Sequence, residues 1–230
     1  MSTRAFFVTG TDTEVGKTLV AQALLTAATA RGWSTLGLKP VSAGCELIDG
    51  QWQNDDARRL RAASSIEIAY SATNPVALEP AIAPHIALAD ERREVAAETL
   101  ARQCRDVLER EQPDFAVVEG AGGWLVPLND AEDLAGLAAS IGLPVILVVG
   151  LRLGCLNHAL LTAQSVSASG LSLAGWVGTT PGTPMERPED NLATLRARLS
   201  APCIGVIPPL GPSPDIAAAA AALNLDQLNA

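Results

Sequence analysis

Residues 5–18 read AFFVTGTDTEVGKT, and the fold follows from this stretch. Its first five residues are mostly apolar, aromatic or β-branched, the composition of a buried strand. Over residues 17–31 apolar side chains return at helical spacing and Gly32 ends the run, so a helix is expected there. Between the two lies GTDTEVGKT (10–18), a strand-to-helix turn that closes on Gly16, Lys17 and Thr18. Such a turn points backbone N–H groups at an anion, while the lysine neutralises phosphate charge and the threonine hydroxyl reaches magnesium. The strict phosphate-loop pattern places glycine where this chain has Thr11. Here Gly10 comes one residue early, which makes the loop a variant.

Outward from that loop, short apolar runs alternate with amphipathic stretches. Strands are expected at 35–39, 114–119, 144–149, 172–177 and 203–207. Helices are expected at 92–111, 131–140, 156–169, 191–199 and 217–222. Strands that are continuously apolar need cover on both faces. The predicted architecture is therefore a single α/β domain over residues 1–230, P-loop NTPase-like, with a doubly wound, mainly parallel sheet flanked by helices. Ligands of such sheets bind beyond the C-terminal strand ends, so functional residues should follow those ends.

Of the sixteen lysines and arginines only Lys17 and Lys39 are lysine. A chain that uses arginine for ordinary surface charge retains a compact ammonium at two places on the ligand-binding edge, where a guanidinium cannot replace it. Glu119 ends the strand DFAVVE and precedes Gly120, Ala121 and Gly122, the place for an acid that reaches magnesium. Asp55 and Asp56 precede a short helical run, and from the residues alone Asn54 or Asp55 reads as its cap.

Composition removes other classes. The net charge of -9 and the 3% aromatic content offer neither a basic stripe nor stacking platforms, so no nucleic acid partner is expected. Cys45, Cys104, Cys155 and Cys203 form no CxxC pair and read as reduced, mostly buried thiols of a cytosolic protein. The N-terminus has no signal-peptide core and the most apolar run, 144–149, is too short to cross a bilayer. A cytoplasmic protein without a membrane partner is expected.

In chain order, GTDTEVGKT (10–18), KPVSAG (39–44), NDDA (54–57), VEGAGGW (118–124), PVILVVG (144–150), LRLGCLNHA (151–159) and AGWV (174–177) resemble the dethiobiotin synthetase family. The resemblance implies a biotin-pathway ligase acting on 7,8-diaminononanoate, CO2 and MgATP. One amine captures CO2 as a carbamate, ATP phosphorylates it, and the second amine closes the ureido ring. By the same resemblance Lys17 and Lys39 are catalytic, and Thr18, Asp56 and Glu119 hold Mg2+, which moves Asp56 from capping to function. ATP would be held by Glu14, Val15, Gly16, Lys17, Thr18 and Leu19, with Asp56, Glu119, Gly120, Ala121 and Gly122. At the nucleotide's other end it would meet Thr179, Pro208, Pro209, Leu210 and Asp215. Thr13, Ser42 and Asn157 would bind substrate, Asn157 in a homodimer whose second subunit receives the tail carboxylate on the segment 151–157. Asn157 also reads as an ordinary helix N-cap.

Three positions depart from the family. Ala43, with Ser42 before it, stands where a hydroxyl is usual, Thr179 replaces an adenine-reading asparagine, and Asp215 replaces a glutamate. The rival is a partition-protein or MinD-like switch ATPase that acts by binding a partner. Those proteins often carry an extra lysine early in the loop, and residues 11–14 have none. A cobyrinate-type amide synthetase would need an appended glutaminase domain for which the chain is too short. His85, His158, Trp124 and Trp176 are assigned to structure and packing, Cys155 to filler, and the arginines at 58–61 and 92–93 to solvated faces.

Overall fold

Val145–Gly150, Phe115–Glu119 and Thr35–Leu38 are buried at every position, so the sheet they form must be covered on both sides. The computed structural model describes residues 3–182, 185–209 and 214–228. In chain order the elements are β1 (Arg4–Gly10), α1 (Lys17–Thr29), β2 (Thr35–Leu38), β3 (Val41–Ala43), β4 (Glu46–Ile48) and β5 (Gln51–Gln53). Then come α2 (Asp55–Ala63), α3 (Tyr70–Thr73), β6 (Val76–Leu78), α4 (Pro84–Asp90), α5 (Ala97–Glu111), β7 (Phe115–Glu119) and α6 (Leu134–Ile141). The chain ends with β8 (Val145–Gly150), α7 (Cys155–Ala168), β9 (Leu173–Thr179), α8 (Pro188–Arg198), β10 (Cys203–Ile207), α9 (Ile216–Ala221) and a 3-10 turn at Leu225–Gln227.

Six strands make one parallel sheet in the order β10-β9-β8-β1-β7-β2. Side chains leave alternate faces of each strand. Phe6, Val8, Val117, Ile146 and Val148 pack in the layer under α1 and α9. Phe7 and Val118 face the opposite layer, where α5 packs on α6, and Leu147, Val149 and Trp176 pack with α7 and α8. The chain winds from β1 out to β2, returns to β7, and then crosses to β8 on the other side of β1. β1 is thus where the winding reverses, and ligands of such sheets bind at that crevice. No helix among the described residues is long and apolar enough to cross a membrane.

Two expectations shift. The helix expected over 92–111 starts at Ala97, because Arg92 adopts φ +53° and its N–H closes the end of α4 on Ala89 O. Residues 41–91 carry small elements that periodicity does not reveal: β3 pairs with β6, β4 with β5, and α3 and α4 span four and seven residues. Elements this short offer too few repeats for a 2.0 or 3.6 period to register.

Candidate active site

The loop after β1 folds back on itself through Gly10. A Cβ there would lie 2.6 Å from Val15 Cγ2, so only glycine lets the chain turn this tightly. The early glycine therefore performs the close approach that the strict pattern assigns to the next position. Gly16 sits at φ +85° and opens α1 with no side-chain cap, leaving the first-turn N–H groups to a ligand. Thr179 braces the loop from β9: its hydroxyl donates to Val15 O at 2.6 Å.

Strand order brings three segments together beneath this loop. β7 lies between β1 and β2, so Glu119 at its tip reaches both neighbours. Its Oε1 accepts from Lys39 Nζ at 2.6 Å and from the Thr18 hydroxyl at 2.8 Å. Lys39 Nζ also donates to Gly120 O at 3.0 Å and pairs with Asp56 Oδ2 at 3.3 Å. Lys39 is 3% exposed and Glu119 fully buried. Burial works against the Lys39 charge, but Glu119 and then Asp56 outweigh it and hold the pKa above the ordinary lysine value. Burial likewise opposes the Asp56 charge, and Lys39 with the Thr18 hydroxyl keeps that carboxyl below its usual range. Among the described residues Glu119 Oε2 is buried without a hydrogen-bond partner.

Lys17 and Lys39 line one cavity of about 770 Å3, together with Thr13, Thr18, Asp56 and Arg59. Glu14, Gly16, Leu19, Ser42, Ala121 and Gly122 complete much of its wall. Glu119 and Gly120 are buried, in hydrogen-bond contact with Lys39. A second cavity of about 370 Å3 shares Glu14, Gly16 and Leu19 with the first, and adds Val15, Thr179, Pro208 and Pro209. Ser42 lines the first cavity and donates its hydroxyl proton to Asn74 Oδ1. Asp215 caps α9, accepting from Ala217 and Ala218 N–H, next to the Pro214 that lines the second cavity. Leu210 lies outside the described residues.

Two readings need correction. Asn157 is the third residue of α7, exposed, and not its cap; Gly154 at φ +96° holds that position. Asn157 lines neither cavity of its own chain. His158 is exposed rather than packed, because its helical face points away from the sheet. Trp124 and Trp176 are buried as expected. Arg152 pairs with Asp12 and so ties the segment after β8 to the phosphate loop.

The family model described as an AAA domain matches residues 4–215. The ATP-dependent dethiobiotin synthetase BioD of Cellvibrio japonicus (strain Ueda107) is 54% identical over 226 residues, 98% of this chain and 97% of its own length. Its namesake in Pseudomonas paraeruginosa is 51% identical over 222 residues, 96% of each chain. The chain belongs to the ATP-dependent dethiobiotin synthetase family. Among solved structures, chloroplast FtsY from Physcomitrella patens matches with TM-score 0.56 at 15% identity, over 96% of this chain and 65% of that one. FtsY from Thermotoga maritima matches with TM-score 0.56 at 12% identity, over 96% and 68%. At that identity the likeness carries the fold alone.

In this dethiobiotin synthetase family chain the cavity also takes in Arg59, which the sequence assigns to a solvated face. Arg59 stands one helical turn from Asp56 on α2, which puts its cation at the cavity wall, paired to Asp55 at 2.7 Å. Its i+3 spacing from Asp56 was the available signal. Asn54, Val126 and residues 81–84 also line the wall and carried no such signal.

Lys17 supplies a pH prediction. Burial, then the nearby Lys39 charge, lowers its pKa from 10.5 to about 8, against the pull of Glu119, Asp56 and Asp12. Between those two pH values the unfolded chain binds more protons than the folded one, so this group makes stability rise with pH across the window. Below about pH 8 the burial penalty is fully present. Phosphate charge beside the ammonium should restore its pKa. ADP binding at pH 8 is therefore expected to take up a fraction of a proton, an uptake that Lys17→Met abolishes. Calorimetry in two buffers of different ionisation enthalpy measures it; equal heats in both would refute the shift.

Proposed function

We propose that this protein closes the ureido ring of dethiobiotin from 7,8-diaminononanoate and CO2 at the expense of ATP. The observation that carries the reading is the single cavity in which Lys17 from the phosphate loop and Lys39 from the neighbouring strand end meet Asp56 and Thr18. One substrate amine attacks CO2, forming the C–N bond of a carbamate and releasing a proton. A carbamate oxygen then attacks the γ-phosphorus of ATP, and the bond to ADP breaks. The second amine attacks the carbamoyl carbon, and phosphate leaves as the ring closes.

The residues supply position and charge for these steps. Lys17 and the uncapped first turn of α1 bind the phosphates. Lys39 is fixed at the wall, where its ammonium meets negative charge on the moving phosphoryl group. Thr18, Asp56 and Glu119 form an all-oxygen set that suits magnesium, and the unpartnered Glu119 Oε2 is an acceptor in need of such a partner. Magnesium held by these oxygens would neutralise phosphate charge. The second cavity, walled by prolines beside Thr179, suits the purine.

Asn157 lies outside its own chain's cavities, on α7, where Leu161 is 57% exposed and neighbouring Leu153 is 95% exposed. This supports a homodimer in which α7 of one subunit serves the cavity of the other. A monomer by sedimentation at assay concentration would exclude it. The switch reading, with partner binding as output, is not favoured. In an assay of ADP release, omission of diaminononanoate or of bicarbonate is expected to stop turnover. Release that ignores the diamine would remove the proposed function.

A further inference from the structure

Lys39 is held through its backbone as firmly as through its ammonium. Its N–H donates to Thr73 O at 2.8 Å, and its carbonyl accepts from Asn74 Nδ2 at 2.7 Å. Asn74 is buried, and its side chain is fully used. Nδ2 donates also to Val76 O at 3.3 Å, while Oδ1 accepts from Ser42 Oγ at 2.8 Å and from the Tyr70 hydroxyl at 2.9 Å. A carboxamide offers two donor hydrogens and two acceptor sites, so nothing is left for a ligand. The bonds continue beyond it. The Tyr70 oxygen accepts the N–H of Asn54 at 2.7 Å, and Asn54 caps α2 while its Nδ2 holds Ala43 O at 3.0 Å. Two residues later α2 presents Asp56 to the Lys39 ammonium.

We infer that Asn74 is a positioning residue for phosphoryl transfer. It sets where the Lys39 ammonium stands relative to the Asp56 carboxylate, by tying the end of β2 directly and the start of α2 through Tyr70 and Asn54. Asn74 itself lines neither cavity. Its neighbour Pro75 disfavours the helical backbone at Asn74, and α3 ends there at φ -135° and ψ 79°. A fully satisfied buried carboxamide holds one geometry in a low-dielectric interior, because turning it away leaves buried polar groups unpaired. Among the described residues no phosphate-loop residue bonds Asn74, Tyr70 or Asn54; the loop meets Lys39 only at the ammonium end, where Thr18 donates to the same Glu119 Oε1. The inference rests on the catalytic reading of Lys39.

The test uses the full chain and two variants. Asn74→Ala removes the bond to the Lys39 carbonyl and the link to Tyr70. Tyr70→Phe removes one hydroxyl, keeps the Lys39 contact, and cuts only the branch to Asn54. Asn74→Ala is expected to lower kcat about a hundredfold and Tyr70→Phe about tenfold, the scale of a misplacement near 1 Å. KM for ATP and the affinity for ADP should stay within about twofold of wild type in both. Leu100→Ala, a truncation in the α5 core, is the stability control: its melting temperature should fall while kcat per folded molecule holds. Asn74 would be merely structural if its variant matched Leu100→Ala in both readouts, or if ADP affinity fell in step with kcat. Unchanged kcat in Tyr70→Phe would likewise overturn the inference. Wild-type ADP release without diamine would strike instead at the proposed function.

Discussion

Lys39→Arg is expected to lower turnover by about a hundred- to a thousandfold although it keeps the positive charge. The three N–H donors of the ammonium are matched by three acceptors: Glu119 Oε1, Gly120 O and Asp56 Oδ2. Two of these lie deep in the protein and one, Asp56, is 43% exposed and sits at the longest distance. An arriving phosphoryl oxygen can therefore replace Asp56 while the other two contacts keep the nitrogen in place. A guanidinium is planar, carries five donors, and does not match the three-acceptor seat in which the native side chain is 3% exposed. Forcing it in costs about 1–3 kcal/mol of overpacking and moves the charge off the reaction line. Single-turnover ADP formation measured beside the melting curve separates the two effects. A near-normal rate would mean that charge alone suffices.

Glu119→Gln should damage both stability and metal response. Glu119 is the buried counter-charge of Lys39 and the acceptor of the Thr18 hydroxyl. Removing the buried partner leaves Lys39 with only the partly exposed Asp56 as counter-charge, a loss of up to about 3–5 kcal/mol. For a chain of this size that corresponds to a fall in melting temperature of roughly 6–20 °C. The carboxylate also provides Oε2, the unpartnered acceptor of the site. In wild type, magnesium added to ADP-saturated protein is expected to raise the melting temperature beyond ADP alone, by mass action. In Glu119→Gln that increment should vanish. An undiminished magnesium increment would show that the metal is held elsewhere.

The parts of the site legible in the sequence are those written by neighbours along the chain. Residues 10–18 announce themselves because strand, turn and helix follow one another without a break. Lys39 stood out by rarity, and Glu119 by its place at the end of an apolar run. Asn74 gave no such notice, and Arg59 gave only its i+3 spacing from Asp56. Asn74 sits in a segment of elements three to seven residues long, where no period can accumulate. Its importance comes from four hydrogen bonds, to Lys39, Ser42, Tyr70 and Val76, and no local pattern encodes all of them. The variant loop has a similar lesson. Gly10 departs from the strict pattern on paper, yet its missing Cβ is what admits Val15.

Local chemistry, then, dictated which stretches become strands and helices, and which carry phosphate-binding and acidic groups. Hydrophobic period, turn residues and residue type act over a few positions, so they are readable in one dimension. The order of strands is a different matter. Thr18 and Glu119 are 101 positions apart, and Lys39 and Glu119 are 80 apart. They meet because β7 inserts between β1 and β2, a choice made by burying both faces of one sheet beneath helices. That burial sums contributions from the whole chain, and only after it is complete do two lysines and two carboxylates share a site.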